Sequence, residues 1–297
     1  MTEPLPFVKG HGTENDFVLI PDRDGELALS AAEVAAICDR RAGIGADGIL
    51  RVVAVAAEPE AAAFRGRADW FMDYRNADGS IAEMCGNGIR VFARYLVDFG
   101  LAAPGALQIA TRGGLRNVIC PPAGSISVDM GVAVLPEVGP ITVRVGERSW
   151  SATAVLMPNP HAVVFVDDLT EAGDLREPPE VGPAEAFPDG VNVEFVVRRG
   201  PRHLALRVHE RGSGETRSCG TGVCAAVVAA VLSGRTSPGV CVVDVPGGTL
   251  ETTATGTGPV LLAGPAELVA AGFWGVANGS PSEVFPCDAG ARAAGRD

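Results

Sequence analysis

The sequence predicts an α+β fold in two lobes, each a strand-rich half wrapped around one helix. Three observations carry this. The chain has 297 residues, 47% hydrophobic and 20% charged, which is a globular composition with length for two cores. Short runs with strand character recur along it, with few helical ones between. One unit, built as strand, polar loop, Cys-Gly-x-Gly, apolar helix and glycine stop, occurs twice.

The elements follow in order. Phe17 to Ile20 reads as a strand, Ala31 to Cys38 as a helix and Ile49 to Val55 as a strand. Ala56 to Gly66 is rich in Ala and charge and reads as a surface loop. Trp70 to Tyr74 is the strand of the first unit; it runs into Asn76-Ala-Asp-Gly79, Cys85-Gly86-Asn87-Gly88 and the helix IRVFARYLVDF, stopped by Gly100. Ser125 to Met130, Ile141 to Val145, Ala162 to Val166 and Val191 to Val197 read as strands, with a loop over Glu171 to Pro188. Leu204 to Val208 is the strand of the second unit; Glu210-Arg211-Gly-Ser-Gly214, Cys219-Gly220-Thr221-Gly222 and VCAAVVAAVLS follow, stopped by Gly234. Val240 to Val245 is a further strand. The lobes are expected to be 1–126, with 265–280 returning to it, and 127–264. Residues 281–297 read as a mobile tail.

The spacings of the two units agree. Asn76 to Cys85 and Glu210 to Cys219 are both nine positions, and Cys85 to Gly100 and Cys219 to Gly234 are both fifteen. Each helix ends on a glycine suited to the left-handed cap. The second helix is apolar all round and should be enclosed by sheet, whereas Arg90, Arg94 and Asp98 give the first an expected wet edge.

Several function classes drop out. A net charge of -12 and a pI near 4.8 would be repelled by nucleic-acid phosphates and anionic membranes. The longest apolar run, Val223 to Leu232, is short of the roughly 20 residues that span a bilayer. Nothing near the start resembles a signal peptide, so a soluble, cytoplasmic protein is expected. Seven scattered cysteines without a C-x-x-C pair suggest neither a disulfide framework nor structural zinc. Lys9 is the only lysine, which argues against a pyridoxal-phosphate or Schiff-base route. Gly43-Ile-Gly45-Ala-Asp-Gly48 fits the dinucleotide fingerprint, but it follows a helix and precedes a strand, the reverse of the required order.

A cysteine just before Gly-x-Gly at a helix start is chemically informative. The first N–H groups of a helix have no internal partner and carry positive partial charge. That should ease ionisation of the thiol, while the glycines let a carboxylate approach the backbone. Two such sites facing one cavity suit inversion of an amino-acid α-carbon: one thiolate removes the proton, one thiol supplies another, and the helix ends stabilise the carbanion. Each residue also has a plainer reading. The other five cysteines are expected to be buried hydrophobes, the asparagines could cap turns, and His161 could be a strand histidine.

Lys9-Gly-His-Gly-Thr-Glu-Asn-Asp-Phe17, Asn76-Ala-Asp-Gly79, Cys85-Gly-Asn-Gly88, Asn159-Pro-His161, Val191-Asn192, Glu210-Arg211-Gly-Ser-Gly-Glu-Thr216, Cys219-Gly-Thr-Gly222 and Pro246-Gly-Gly248 together resemble the diaminopimelate epimerase family. The resemblance runs from about Phe7 to about Trp274. It implies two pseudo-symmetric lobes, each a curled, barrel-like sheet around a central helix, and a homodimer without cofactor. It also implies interconversion of LL- and meso-diaminopimelate in bacterial lysine and cell-wall precursor synthesis. By position, Cys85 and Cys219 resemble the base/acid pair, and Gly86, Asn87, Gly220 and Thr221 the cradle of the reacting carboxylate. Asn15, Asn76, Asn159, Asn192, Glu210 and Arg211 would hold the rest of the substrate, with His161 and Glu210 close to the chemistry. Arg211 suits a distal carboxylate as a guanidinium fork, given a bend at Gly212.

Some positions depart from the pattern. Gly10 replaces an apolar residue, Thr13-Glu14 stands where Leu-Gly is usual, and Gly48 takes the place of a substrate-touching glutamine in some relatives. The alternatives are another two-cysteine racemase of this fold, such as the proline racemase type, and a redox or binding module without turnover.

Overall fold

The computed structural model describes residues Pro4 to Gly275. In chain order the first half holds β1 (Leu5–Gly12), β2 (Asn15–Pro21), α1 (Ala31–Cys38), β3 (Gly48–Ala54), β4 (Trp70–Asn76), α2 (Gly86–Asp98), β5 (Gly105–Thr111), β6 (Gly114–Cys120) and β7 (Ile126–Val132). There follow β8 (Ile141–Val145), β9 (Arg148–Leu156), β10 (Pro160–Phe165), β11 (Glu180–Gly182), β12 (Asn192–Gly200), β13 (His203–Glu210) and β14 (Gly214–Thr216). The chain continues through α3 (Gly220–Leu232), β15 (Gly239–Val245), β16 (Gly248–Ala254), β17 (Pro259–Gly264) and β18 (Glu267–Trp274).

The strand pairing repeats. From β1 to β7, successive neighbours pair antiparallel, parallel, antiparallel, parallel, antiparallel and antiparallel. The run β9, β10, β12, β13, β15, β16, β17 shows the same six modes in the same order. Parallel neighbours need a crossover. α1, α2 and α3 provide three of these; two 3₁₀ turns with β11 provide the fourth. An outer strand extends each run, β18 on β1 and β8 on β9, and β7 pairs with β17 to join them. The end of the chain thus returns to its beginning, with Trp274 opposite Leu5.

Each long helix lies inside its strands. α2 packs on β1, β2, β3, β4, β6, β7 and β18, and α3 on β9, β10, β12, β13, β16 and β17. Ile89, Phe92 and Leu96 of α2 share one buried cluster with Val223, Ala226 and Ala230 of α3. Fully burying one large apolar side chain of this kind contributes about 1.5–3 kcal/mol.

The wet edge expected for α2 is mostly absent. Arg90 is fully buried and Arg94 nearly so, because backbone carbonyls accept hydrogen bonds from their guanidinium groups. Arg90 donates to the Gly86 and Pro265 carbonyls, and Arg94 to those of Pro122 and Gly124. Two expected loops also contain short ordered pieces. A 3₁₀ turn at Pro59–Phe64 buries Ala61, and β11 with a 3₁₀ turn at Ala184–Ala186 lies between Glu171 and Pro188. The tail at 281–297 lies outside the described residues.

The fingerprint-like glycines serve the reversal between α1 and β3. A Cβ on Gly43 would sit 2.2 Å from the Ala36 carbonyl oxygen, and Gly45 has φ +78°. Among the described residues no helix is long and apolar enough to cross a membrane.

Candidate active site

Cys85 and Cys219 are the N-cap residues of α2 and α3, with extended φ values of -137° and -119°. Extended backbone at an N-cap aims the side chain back over the first turn. The Gly88 N–H donates to Cys85 Sγ at 3.3 Å. The two helix starts touch: a Cβ on Gly220 would lie 3.3 Å from Gly86 Cα and from Asn87 Oδ1. A side chain at 220 would press on the start of α2, and one at 86 on Met130 and Leu262; the close approach brings both sets of free N–H groups to one place.

Polar side chains link the two starts. Asn87 Nδ2 donates to Asn15 Oδ1 at 3.1 Å and to the Ser218 carbonyl at 3.0 Å. Asn15 donates in turn to Asp47 at 2.7 Å, and Cys85 Sγ lies 3.7 Å from Asn15 Oδ1. Tyr74 donates from its hydroxyl to Asn76 Oδ1 at 2.8 Å. Burial, with the negative forms of Cys85, Glu210, Asp47 and Cys219 nearby, pushes the Tyr74 phenol well up. A Cβ on Gly48 would meet Tyr74 Cε2 at 2.8 Å and the Arg75 carbonyl oxygen at 2.4 Å. A larger side chain has no room there, because Tyr74 and the β4 backbone occupy the space.

In the second half, the parallel pairing of β10 and β12 sets His161 beside Asn192. His161 is fully buried; Nδ1 lies 2.7 Å from Glu194 Oε1 and Nε2 3.0 Å from Asn159 Oδ1. A Cβ on Gly222 would meet Glu194 Oε1 at 2.6 Å, so this carboxylate sits against the first turn of α3. Glu210 ends β13 and accepts from the Thr216 hydroxyl. Burial pushes the Glu210 carboxyl above the usual carboxylate range, opposed by hydrogen bonds from Thr216 and Cys219. Gly212 has φ +78° and supplies the bend anticipated after Glu210-Arg211. The Arg211 N–H donates to Asn192 Oδ1 at 3.0 Å, while its exposed guanidinium donates to the Asp189 carbonyl. Arg211 borders a cavity of about 590 Å³, also lined by Arg176, Phe187, Val191 and His209.

The thiols correct one expectation. Helix starts were expected to ease ionisation, yet Cys85 is pushed up to about 11. Burial is the largest cause; the Gly88 N–H pulls down and Glu210 pushes up. Cys219 is raised well above its ordinary value by burial, then by Glu210 and Glu194. Desolvation outweighs the helix ends, and the second helix start already faces a carboxylate.

The structure therefore brings Cys85, Asn15, Gly86, Asn87 and Gly220 into one group. Cys219, Thr221, Glu210, His161 and Asn159 adjoin it, with Thr221 Oγ1 3.4 Å from Cys219 Sγ. Asn76 joins through Tyr74, and Asn192 through the Arg211 backbone; only the Arg211 side chain points outward. Asn87 Oδ1, Asn192 Nδ2 and Glu194 Oε2 are buried without a hydrogen-bond partner, concentrating unmet polar demand here. Tyr74, Glu194 and Ser218 were not anticipated. Glu194 had a signal, a lone charge inside the apolar run Val191 to Val197. Among the described residues no three His, Cys, Asp or Glu side chains converge to hold a metal. Lys9 is tied to Asp16 at 3.0 Å and to the Gly45 carbonyl.

The family model described as diaminopimelate epimerase matches residues 7–136 and 153–269. A diaminopimelate epimerase of Streptomyces coelicolor is 57% identical over 278 residues, covering 92% of this chain and 96% of that protein. One from Thermobifida fusca is 50% identical over 273 residues, covering 90% and 97%. Among solved structures, a hydroxyproline epimerase from Agrobacterium vitis aligns with TM-score 0.61 at 15% identity, covering 96% and 98%. That likeness concerns the fold alone.

Proposed function

The chain belongs to the diaminopimelate epimerase family, and we propose that it interconverts LL- and meso-diaminopimelate by a two-thiol mechanism, in bacterial lysine and peptidoglycan precursor synthesis. The observation that carries the mechanism is the contact of two cysteine-capped helix starts at Gly86 and Gly220.

One cysteine, as thiolate, takes the α-proton from one face; the other, as thiol, gives a proton to the opposite face. The substrate carboxylate lies on the free N–H groups of Gly86-Asn87 and Gly220-Thr221, which stabilise the charge that develops there. The raised thiols suit this chemistry. An incoming α-ammonium places a cation beside a buried sulfur and favours its ionisation once substrate is bound. Glu210 accepts from the ammonium and from Cys219, and His161 holds Glu194 and Asn159 in place. Asn15, Asn76, Asn159 and Asn192 hold the rest of the substrate. Arg211 turns from the Asp189 carbonyl to the distal carboxylate.

The working unit in this reading is a cytoplasmic, cofactor-independent homodimer. Its two lobes centre on α2 and α3, as the repeated strand pairing supports; β7 packs on α2, so the first lobe extends to Val132 rather than ending at 126, and β18 returns to it.

Arg211 tests the substrate. Losing a desolvated fork to a carboxylate costs about 2–5 kcal/mol, so Arg211→Met should lose roughly 30-fold to several thousand-fold in kcat/KM. Arg211→Lys should recover only part, because an ammonium cannot make two parallel bonds. Comparable kcat/KM for proline and diaminopimelate would instead favour a proline racemase type of enzyme.

A further inference from the structure

The duplicated units differ in charge where their geometry agrees. Five residues after the capping cysteine, α2 carries Arg90 and α3 carries Cys224; nine residues before it, the first unit has Asn76 and the second Glu210. The first difference gives Cys85 a cation that Cys219 lacks, whereas Glu210 acts on both thiols.

Arg90 is an unusual residue to bury. Its side chain is fully enclosed under β1 and β17, against Gly12 and Gly264. Nη1 donates to the Gly86 carbonyl at 3.0 Å and Nε to the Pro265 carbonyl at 3.3 Å, whereas Nη2 has no partner. It makes no ion pair among the described residues. The ionisable side chains acting on it are Cys85, on its own helix, and Cys224, across the helix contact. A buried guanidinium without a carboxylate is costly, and a thiolate is the charge that would offset it. Cys85 also faces Glu210 of β13, and the Tyr74 phenol of β4 faces both thiols. Cys219 faces Glu210 of β13 and Glu194 of β12; His161 of β10 lies against Glu194.

We propose that Arg90 is a positioning residue that breaks the symmetry of the thiol pair, so that Cys85 ionises first and Cys219 keeps its proton in the substrate-free enzyme. Cys85 is then the thiol that ionises when substrate binds, and the base that starts the reaction. The α-carbon's proton moves to Cys85 as the carbanion forms, and the Cys219 proton moves to the opposite face of that carbon. The pair is left as Cys85 thiol and Cys219 thiolate, with no change of oxidation state. This rests on the two-thiol reading above.

Two measurements on the full chain test it, neither using diaminopimelate nor turnover. Failure here would leave the substrate assignment standing, and loss of epimerisation would leave this ordering standing. The first is an NMR titration of wild-type protein carrying ¹³Cβ-cysteine. The Cys85 signal should move at lower pH than the Cys219 signal; coincident or reversed midpoints would overturn the proposal. The second is iodoacetamide labelling resolved by peptide mass spectrometry. Arg90→Gln should lower the ratio of Cys85 to Cys219 labelling about tenfold, the equivalent of about one pKa unit. Arg90→Lys, which keeps the charge, should stay near the wild-type ratio. An unchanged ratio in a folded Arg90→Gln would overturn the proposal. Buried Cys120, Cys224 and Cys241 report folding by staying unlabelled; if they label, the wild-type titration decides.

Discussion

Removing the sulfur at residue 85 or 219 deletes one proton-transfer group and leaves the glycines that join the helix starts untouched. Cys85→Ala and Cys219→Ala should each lower epimerisation by about 10²–10⁴-fold or more, because a relay acts as a unit. Near-normal turnover in either variant, with circular dichroism unchanged, would remove the two-thiol mechanism. Burial of thiols also ties stability to pH. Cys38 and Cys85 are raised to about 11 and Cys224 to about 12, from an ordinary 9.0. The folded state therefore holds protons that the unfolded chain releases, so stability falls as pH rises. The contribution is complete below about pH 9 and is lost from there through 11–12. Arg90, lowered to about 10 by burial, works the opposite way above that pH. Under reducing conditions Tm should stay level to about pH 8.5 and decline beyond 9; a Tm that holds or climbs through pH 10 would contradict this balance. At this scale spacing displayed the cysteines, Asn76 and Glu210, and the family resemblance marked the other asparagines. The sequence hid Tyr74 and Ser218, whose importance comes from what folding places beside them.

The long helices and their caps were legible because cap, apolar run and glycine stop coincide in one stretch. β1, β5, β6, β9 and β16–β18 were harder. β16 reads GTLETTA, with Leu250, Thr252 and Ala254 buried and exposed Glu251 between them, so small and polar residues mask its period of two. The turn between β1 and β2 holds the departure at Thr13-Glu14. Thr13 and Glu14 adopt φ of 51° and 61°, a conformation that costs most non-glycine residues energy. Tertiary contacts hold it: Thr13 Oγ1 lies 2.6 Å from Ser218 Oγ, and Arg217 pairs with Glu14 at 2.6 Å. The Thr13 carbonyl oxygen also approaches Gly247 so closely that a Cβ there would be 1.9 Å away. Gly247→Ala must therefore push this turn off the loop before Cys219. It should lower Tm and cut kcat by at least about tenfold, more than Gly66→Ala, where φ is positive but the surroundings are open. Equal effects of the two variants would show that the contact is unimportant.

For the whole molecule, one buried cluster spans both central helices, so motion of either half disturbs the shared site. The duplication was readable from two matching intervals; the repeated order of strand pairing was not, because pairing is decided by residues far apart in the chain. The central claim is that two thiols exchange the α-proton of diaminopimelate with solvent while inverting that carbon. The direct measurement is proton NMR of purified protein with LL-diaminopimelate in deuterium oxide. The α-proton signal should fade as meso-diaminopimelate appears carrying deuterium at the inverted carbon, with both changes absent in Cys85→Ala and Cys219→Ala. Meso product that keeps its original α-proton, or an LL-diaminopimelate spectrum that never changes, would contradict the account.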